Sequence, residues 1–294
     1  VHLSSKTINA FNDPSIVPDG NNGAYIAYTA ANPASISLSD VYVQHIDFNG
    51  NLWSSDGTEA VIGANSFREN PSMRYSANMP HPVVIVKEVD LGQTNAGVTM
   101  QSFDAATGAA LLGPTGVAVT QITALYDEPY DIQELCGNWV ILYAEGPFGN
   151  NSMNAIKVDT NGVPQWTPAI RTLSSVASNK LRGQMTPQIE VSISGSTVRQ
   201  VVAVWEDERN GRGIYAQNVD CDGNLGQVLP NSVNGTTRPV SAASVYPNPS
   251  GAEQRLRVYS ESIEHVEITM LDVSGRTVAM TIYFSPGSSI LYCK

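Results

Sequence analysis

Ile214-Tyr-Ala-Gln-Asn-Val-Asp220, followed three residues later by Gly223, is the stretch that decides the fold, because the chain writes it four times. Val41-Tyr-Val-Gln-His-Ile-Asp47 runs to Gly50, Val98-Thr-Met-Gln-Ser-Phe-Asp104 to Gly108, and Asn154-Ala-Ile-Lys-Val-Asp159 to Gly162. Each run is rich in β-branched and aromatic residues and ends in an Asp and a Gly turn. That is the signal of a strand entering a hairpin whose turn needs positive φ. About 30 residues before each Asp stands a proline after a polar residue: Pro14, Pro71, Pro129 and Pro187, spaced 57, 58 and 58 residues apart. A fixed period of this size marks supersecondary units that cannot bury a face alone and must stack.

Within each unit four short strands are expected. The first follows the proline, at residues 15–17, 72–74, 130–133 and 188–191. The second is apolar on both faces: Ala24-Tyr-Ile-Ala-Tyr28, Pro82-Val-Val-Ile-Val86, Trp139-Val-Ile-Leu-Tyr143 and Val201-Val-Ala-Val-Trp205. Such a run predicts burial on both sides. The third ends in the Asp, and the fourth includes Trp53, Leu111-Leu112, Trp166 or Leu225. The fold class expected is all-β: four propeller-type blades of about 57 residues, followed by a small, incomplete β-sandwich. An immunoglobulin-like sandwich needs about 100 residues per unit and does not fit. The blades divide at 13–69, 70–127, 128–185 and 186–228 of a repeat domain over 1–228. A linker rich in Asn, Ser, Thr and Gly occupies 229–243, and a second domain 244–294. Residues 1–12 resemble the run before the other prolines, so either Val1 to Leu3 add a strand to the last blade and close a four-bladed ring or, the reading favoured here, the four blades are part of a larger propeller.

The chain has 294 residues, 42% hydrophobic and only 15% charged, with a formal charge of −11. It carries no Lys/Arg cluster, so no nucleic-acid partner is expected. No run of 18 apolar residues exists, so no membrane span is expected. Cys136, Cys221 and Cys293 form neither a disulfide framework nor a metal spacing. A Cys136–Cys221 bridge between neighbouring units is an arrangement that the spacing neither requires nor excludes.

Two resemblances follow from particular residues. Val202-Ala-Val-Trp-Glu-Asp-Glu-Arg209 with Gly213-Ile-Tyr-Ala-Gln-Asn-Val-Asp220 resembles the propeller-like repeats of large secreted proteins of the Bacteroidota. Its blade motif falls on Trp205, Asp207, Arg209, Gln217, Asp220 and Gly223. The tail is similar to the type A C-terminal sorting domain of the type IX secretion system. That motif falls on Tyr246, Pro247, Asn248 and Pro249, then on Asp272, Gly275 and Arg276 in Leu271-Asp-Val-Ser-Gly-Arg-Thr-Val278. The resemblance implies export across an outer membrane, with secretion machinery as a partner and a secreted or outer-membrane-surface location. Residues 280–294 depart from the family's pattern, hence the incomplete sandwich.

No catalytic, cofactor or metal residue is singled out. Glu206-Asp-Glu208 beside Arg209 could pair carboxylates for acid/base work, but its place at the end of a buried strand fits a tie between blades better. Gln44, Gln101 and Gln217 recur in three units and are expected to satisfy nearby backbone. Asp220-Cys-Asp-Gly-Asn224 puts Gly at the fourth position, where a calcium loop of the EF-hand type needs it at the sixth. It reads as a hairpin turn. The four histidines are scattered, and no nucleophile elbow or phosphate loop is present. The function expected is therefore a secreted or surface module without enzymatic activity, binding a carbohydrate or protein or acting as a scaffold. The alternative is the accessory region of a secreted glycoside hydrolase or peptidase whose catalytic domain lies outside the chain.

Overall fold

The computed structural model describes residues 1–8, 12–32, 35–63, 65–193 and 196–226, and beyond these the backbones of five short strands. The chain divides into two compact units, Val1–Pro230 and Asn231–Lys294.

The first unit is a set of four antiparallel sheets of β-propeller type. Blade one runs β1 (Ser15–Pro18), β2 (Ala24–Asn32), β3 (Ser35–Ile46) and β4 (Thr58–Glu59), paired in chain order. Blade two repeats the meander with β5 (Ser66–Ser76), β6 (Met79–Asp90), β7 (Ala96–Ser102) and β8 (Val117–Ala118). Blade three does so with β9 (Glu128–Leu135), β10 (Asn138–Glu145), β11 (Asn151–Val158) and β12 (Ile170–Ser178). In blade four the innermost strand is broken into β13 (Lys180–Met185) and β14 (Ile189–Ile193). Both pair with β15 (Ser196–Asp207), which in turn pairs with β16 (Gly213–Asp220).

The marker prolines sit where the innermost strands are irregular. Pro71 lies at a register shift between Glu69 and Ser72, and Pro187 lies in the gap between β13 and β14. A proline has no N–H for the ladder, so it is tolerated at such breaks. Two of these strands therefore start earlier than the prolines suggest, at Ser66 and Glu128. Ile8 bridges Ala30 and the Ala31 N–H donates to the Thr7 carbonyl at 2.8 Å, so Thr7 and Ile8 pair with β2, while Leu3 and Ser5 bond Gln44 and Asp56 on the other side of the blade.

The fourth strands correct the sequence reading. Leu52, Ala110, Pro164 and Leu225 make only single bridges after the turns, and β4, β8 and β12 begin several residues later. The tryptophans leave the sheet instead. Trp53 Nε1 donates to the Ala105 carbonyl at 3.1 Å, and Trp166 Nε1 to the Cys221 carbonyl at 3.0 Å. Both acceptors lie in the Asp-to-Gly turn of the next blade.

Successive blades bury their second strands against each other. Tyr25, Ala27, Val41 and Val43 of blade one meet Met73, Val84 and Val86 of blade two. Val83, Ile85, Val98 and Met100 then meet Ile132, Trp139, Ile141 and Tyr143 of blade three. Val140, Leu142, Met153 and Ala155 meet Val201, Ala203 and Trp205 of blade four. Two-sided burial, expected for all four second strands, holds for β2, β6 and β10. In β15 it fails: Val202 and Val204 are half-buried, because blade three covers only one face.

A covalent tie joins blades three and four. Cys136, in the turn between β9 and β10, is bonded to Cys221, in the turn after β16, with Cα atoms 5.9 Å apart. This corrects the reading that the cysteines form no disulfide framework. The pairing is the one that the spacing neither required nor excluded; 85 residues separate the two, and stacking of the units brings those turns together.

The second unit contains β17 (Ala243–Tyr246), β18 (Gln254–Val258), β19 (Val266–Leu271), β20 (Thr277–Ile282) and β21 (Leu291–Cys293). β18 pairs antiparallel with β17 and β21, and β19 with β20, Leu271 facing Thr277. Of the sorting motif, Tyr246 closes β17; Pro247, Asn248, Pro249, Asp272, Gly275 and Arg276 lie outside the described residues.

Candidate functional site

The four innermost strands converge on a pocket of about 660 Å³. Each blade supplies its share from positions near the marker proline. Ile16, Val17 and Pro18 come from β1, and Arg74, Tyr75 and Ser76 from the end of β5. Gln133 and Glu134 come from β9, while Pro187 and Gln188 come from the break between β13 and β14. Pockets of this size, part apolar with a few fixed polar groups, are where small ligands bind.

The polar groups are held in place. Arg74 donates to Asp131 Oδ1 at 2.8 Å and to the Met73 carbonyl at 2.9 Å, which leaves its charge largely answered. Asp131 is buried and also accepts from the Met185 N–H at 2.7 Å and the Ile132 N–H at 2.8 Å. Burial pushes its carboxyl pKa up, and Arg74 opposes the shift. Glu134 accepts from the Ser76 hydroxyl and from Asn78 Nδ2, the latter at 3.4 Å. Gln188 Oε1 accepts from the Cys136 N–H at 2.8 Å, so its amide NH₂ is turned to the other side. Tyr75 packs against buried Tyr25 with ring centroids 5.2 Å apart. The pocket thus presents one carboxylate, amide groups, a phenol and flat apolar surfaces.

The blade motif lies elsewhere and is structural. Asp207 is fully buried and accepts from the Ser178 hydroxyl at 2.6 Å, the Arg209 N–H at 3.0 Å and Trp205 Nε1 at 3.1 Å, as well as from the Arg209 guanidinium. Burial pushes its pKa up, but the hydrogen bonds from Arg209, Ser178 and Trp205 outweigh it and hold the carboxyl well below the usual range. Arg209 also donates to Ser174 of blade three at 2.6 Å and stacks over Tyr215, 4.1 Å from the ring centre. Glu206 points outward to Arg182 and Arg212, and Glu208 is exposed. The acidic triplet therefore does not converge on a substrate.

The Asp-to-Gly turns close on their own backbone. Asp220 Oδ1 accepts from the N–H groups of Asp222 and Asn224 at 2.9 and 2.8 Å, and Gly223 N–H bonds the Asp220 carbonyl at 3.0 Å. Asp47 and Asp159 make the same pattern. Gln44 and Gln101 are buried clamps. Gln44 Nε2 donates to the Ser54 carbonyl at 2.7 Å and Gln101 Nε2 to that of Gly113 at 2.7 Å, while their Oε1 atoms take the Trp53 and Leu112 N–H groups. Gln217 reaches only its neighbour, bonding the Asn218 carbonyl at 3.2 Å.

Arg74, Tyr75, Glu134 and Gln188 were not singled out in the sequence. The available signal was positional: each lies within five residues after a marker proline, on the strands that line a propeller's axis.

No family model matches the chain, and no curated protein does. Among solved structures, it resembles a thermostable family-43 glycoside hydrolase at 13% identity and a TM-score of 0.44, over 77% of this chain and 75% of that one. It resembles an endo-arabinase from Bacteroides thetaiotaomicron at 12% identity and 0.43, over 98% and 96%. An α-L-arabinanase from Penicillium chrysogenum gives 9% identity and 0.43, over 96% and 84%. The expectation of a chain without enzymatic activity is corrected on this finding, for the three are a glycoside hydrolase, an endo-arabinase and an arabinanase, but at this identity and TM-score the likeness assigns no activity to this chain. These likenesses carry no residue's role over to this chain.

Proposed function

We propose that this chain is a carbohydrate-holding β-propeller module of a secreted hydrolase, with the sugar seated in the central pocket. The observation that carries the reading is the pocket's chemistry. Amide and carboxylate groups held by neighbouring backbone and side chains suit the hydroxyls of a sugar, and Tyr75 with the apolar walls suits its C–H faces. Arg74 is neutralised by Asp131, which favours a neutral ligand over a phosphate. Among the described residues Glu134 is the carboxylate that lines the pocket, a group of the kind that glycosidases use as acid, base or nucleophile.

Export rests on two supports. The Cys136–Cys221 bridge suits an oxidising compartment, and the tail is similar to the type IX sorting domain through Tyr246, Pro247, Asn248, Pro249, Asp272, Gly275 and Arg276. On this reading the tail's partner is the secretion machinery and the destination is the medium or the outer surface.

A panel of neutral polysaccharides tests the pocket. Calorimetric binding weakened at least about tenfold by Tyr75→Ala or Gln188→Ala is expected. Reducing-sugar release lost in Glu134→Gln would place catalysis in the chain itself. Absence of binding to every glycan, or equal binding by both pocket variants, overturns the reading.

A further inference from the structure

A second polar cluster lies away from the central pocket, at the far end of β10. Tyr143 faces Asn154 across the β10–β11 ladder, and Glu145 faces Ser152. On the other side Glu128 pairs with Ala144, so Asp127, one residue further, stands beside Glu145. Cross-strand neighbours share a face, so Asp127, Tyr143, Glu145 and Asn154 gather on the side of blade three that meets blade two. The backbone there is fixed: Gly146 N–H donates to the Leu125 carbonyl at 2.6 Å.

Three of these side chains have an oxygen with no partner. Asp127 Oδ1, the Tyr143 hydroxyl and Asn154 Oδ1 are buried and make no hydrogen bond. The residues are 4%, 1% and 1% exposed. The Asn154 amide cannot be turned to cure this. Its Nδ2 donates to Glu145 Oε2 at 2.7 Å and to the Ser152 hydroxyl at 3.1 Å, so the oxygen is the free end. A buried polar atom without a partner carries its full desolvation penalty, and three such oxygens, with the Glu145 carboxylate beside them, point to a bound species. Among the described residues no cation serves them. The nearby Lys87 is engaged by Glu69 at 3.0 Å and Glu128 at 2.6 Å. Burial, with the Glu145 charge adding to it, pushes the Asp127 carboxyl up to about 6, against a lowering hydrogen bond from Thr120.

We propose that Asp127, Tyr143, Glu145 and Asn154 form an internal site for a hard divalent cation, Ca²⁺, between blades two and three. The donors are all oxygen, which excludes the preferences of thiolate-seeking metals. Two carboxylates and an amide oxygen are ligands of the kind Ca²⁺ takes in flexible geometry, and the Tyr143 hydroxyl and water complete the shell. Among the described residues no three His, Cys, Asp or Glu side chains converge on one point, so the amide and phenol oxygens carry half of the coordination. Half-buried Glu145 gives the ion its way in.

The full chain, stripped with EDTA, is the material for the test. Ca²⁺ at millimolar concentration is expected to raise Tm by about 5 °C, and Mg²⁺ or matched NaCl by much less. Tb³⁺ in place of Ca²⁺ is expected to luminesce when tyrosine is excited, because the Tyr143 ring touches the ion, and Ca²⁺ should quench the signal by competition. Tyr143→Phe, Asp127→Asn and Glu145→Gln should each weaken the Tb³⁺ response at least about tenfold. Should Asp127→Asn fail to fold, the more exposed Glu145→Gln carries the test. A wild-type chain without Ca²⁺-dependent Tm or Tb³⁺ emission overturns the proposal. So does a Glu145→Gln protein that responds like wild type, since the ion would then sit elsewhere.

Discussion

Asp207 has no solvent exposure, yet it stays ionised because Ser178, Trp205 and Arg209 all donate to it. Its folded pKa lies below the unfolded value. The stability it contributes is therefore fully present above about pH 4 and is lost as pH falls through the folded pKa. Asp207→Asn keeps the shape but leaves Arg209 without its counter-charge. Removing one partner of a buried pair costs about 3–5 kcal/mol. Urea unfolding at pH 7 should show that loss. The gap between wild type and Asp207→Asn should narrow as pH is lowered below about 4; a constant gap would contradict the assignment. Trp205, Asp207 and Arg209 were legible as a structural tie from their place at the end of a buried strand. Lys180 was not. It is fully buried and donates to the Asn151 carbonyl at 2.7 Å and the Ser178 hydroxyl at 2.9 Å, contacts to residues some 29 positions away or in the same bend that no local pattern encodes.

The repeated turn glycines do two things at once. Gly50, Gly108, Gly162 and Gly223 all have positive φ, at 84°, 73°, 82° and 80°, which the hairpin signal anticipates. What sequence could not display is the space above them. A Cβ on Gly108 would stand 2.5 Å from the Trp53 ring, and one on Gly162 2.7 Å from Val117, each belonging to the preceding blade. On Gly223 it would meet Arg171 at 2.5 Å and Trp166 at 3.1 Å, and on Gly50 the Val1 side chain at 3.1 Å. Each turn is thus the landing surface for the element before it. Gly108→Ala should cost about 2–5 kcal/mol, the sum of left-handed strain and overpacking. Gly113 has φ of 77° and nothing within 4 Å, so Gly113→Ala should cost only the strain, about 1–2 kcal/mol. Equal thermal shifts for the two variants would show that the contact with Trp53 is unimportant. The same landing contact explains why Trp53 and Trp166 were misplaced as members of the fourth strand. Their size and apolar character suit a strand, but a tertiary partner claims them first.

At the scale of the whole molecule, repeats were legible because periodicity survives divergence, while contacts between repeats were not. The proline markers located every innermost strand, and so in principle the axis, yet the pocket residues differ in type from blade to blade and form no local motif. Val201 to Trp205 reads as a doubly buried strand, and only its position in the last described blade leaves Val202 and Val204 half-buried. The disulfide adds a different property. Phe148 is 82% exposed, flanked by Gly146 and Gly149 at positive φ, and this loop lies between Cys136 and Cys221 in the chain. Chymotrypsin nicking after Phe148 would yield pieces of residues 1–148 and 149–294 that remain one covalent body. A non-reducing gel should keep the intact mass and a reducing gel should split it; separation without reductant would contradict the bridge. A protein so stapled can be cut in an exposed loop and still travel as one particle, so a first proteolytic nick costs it no part of its mass.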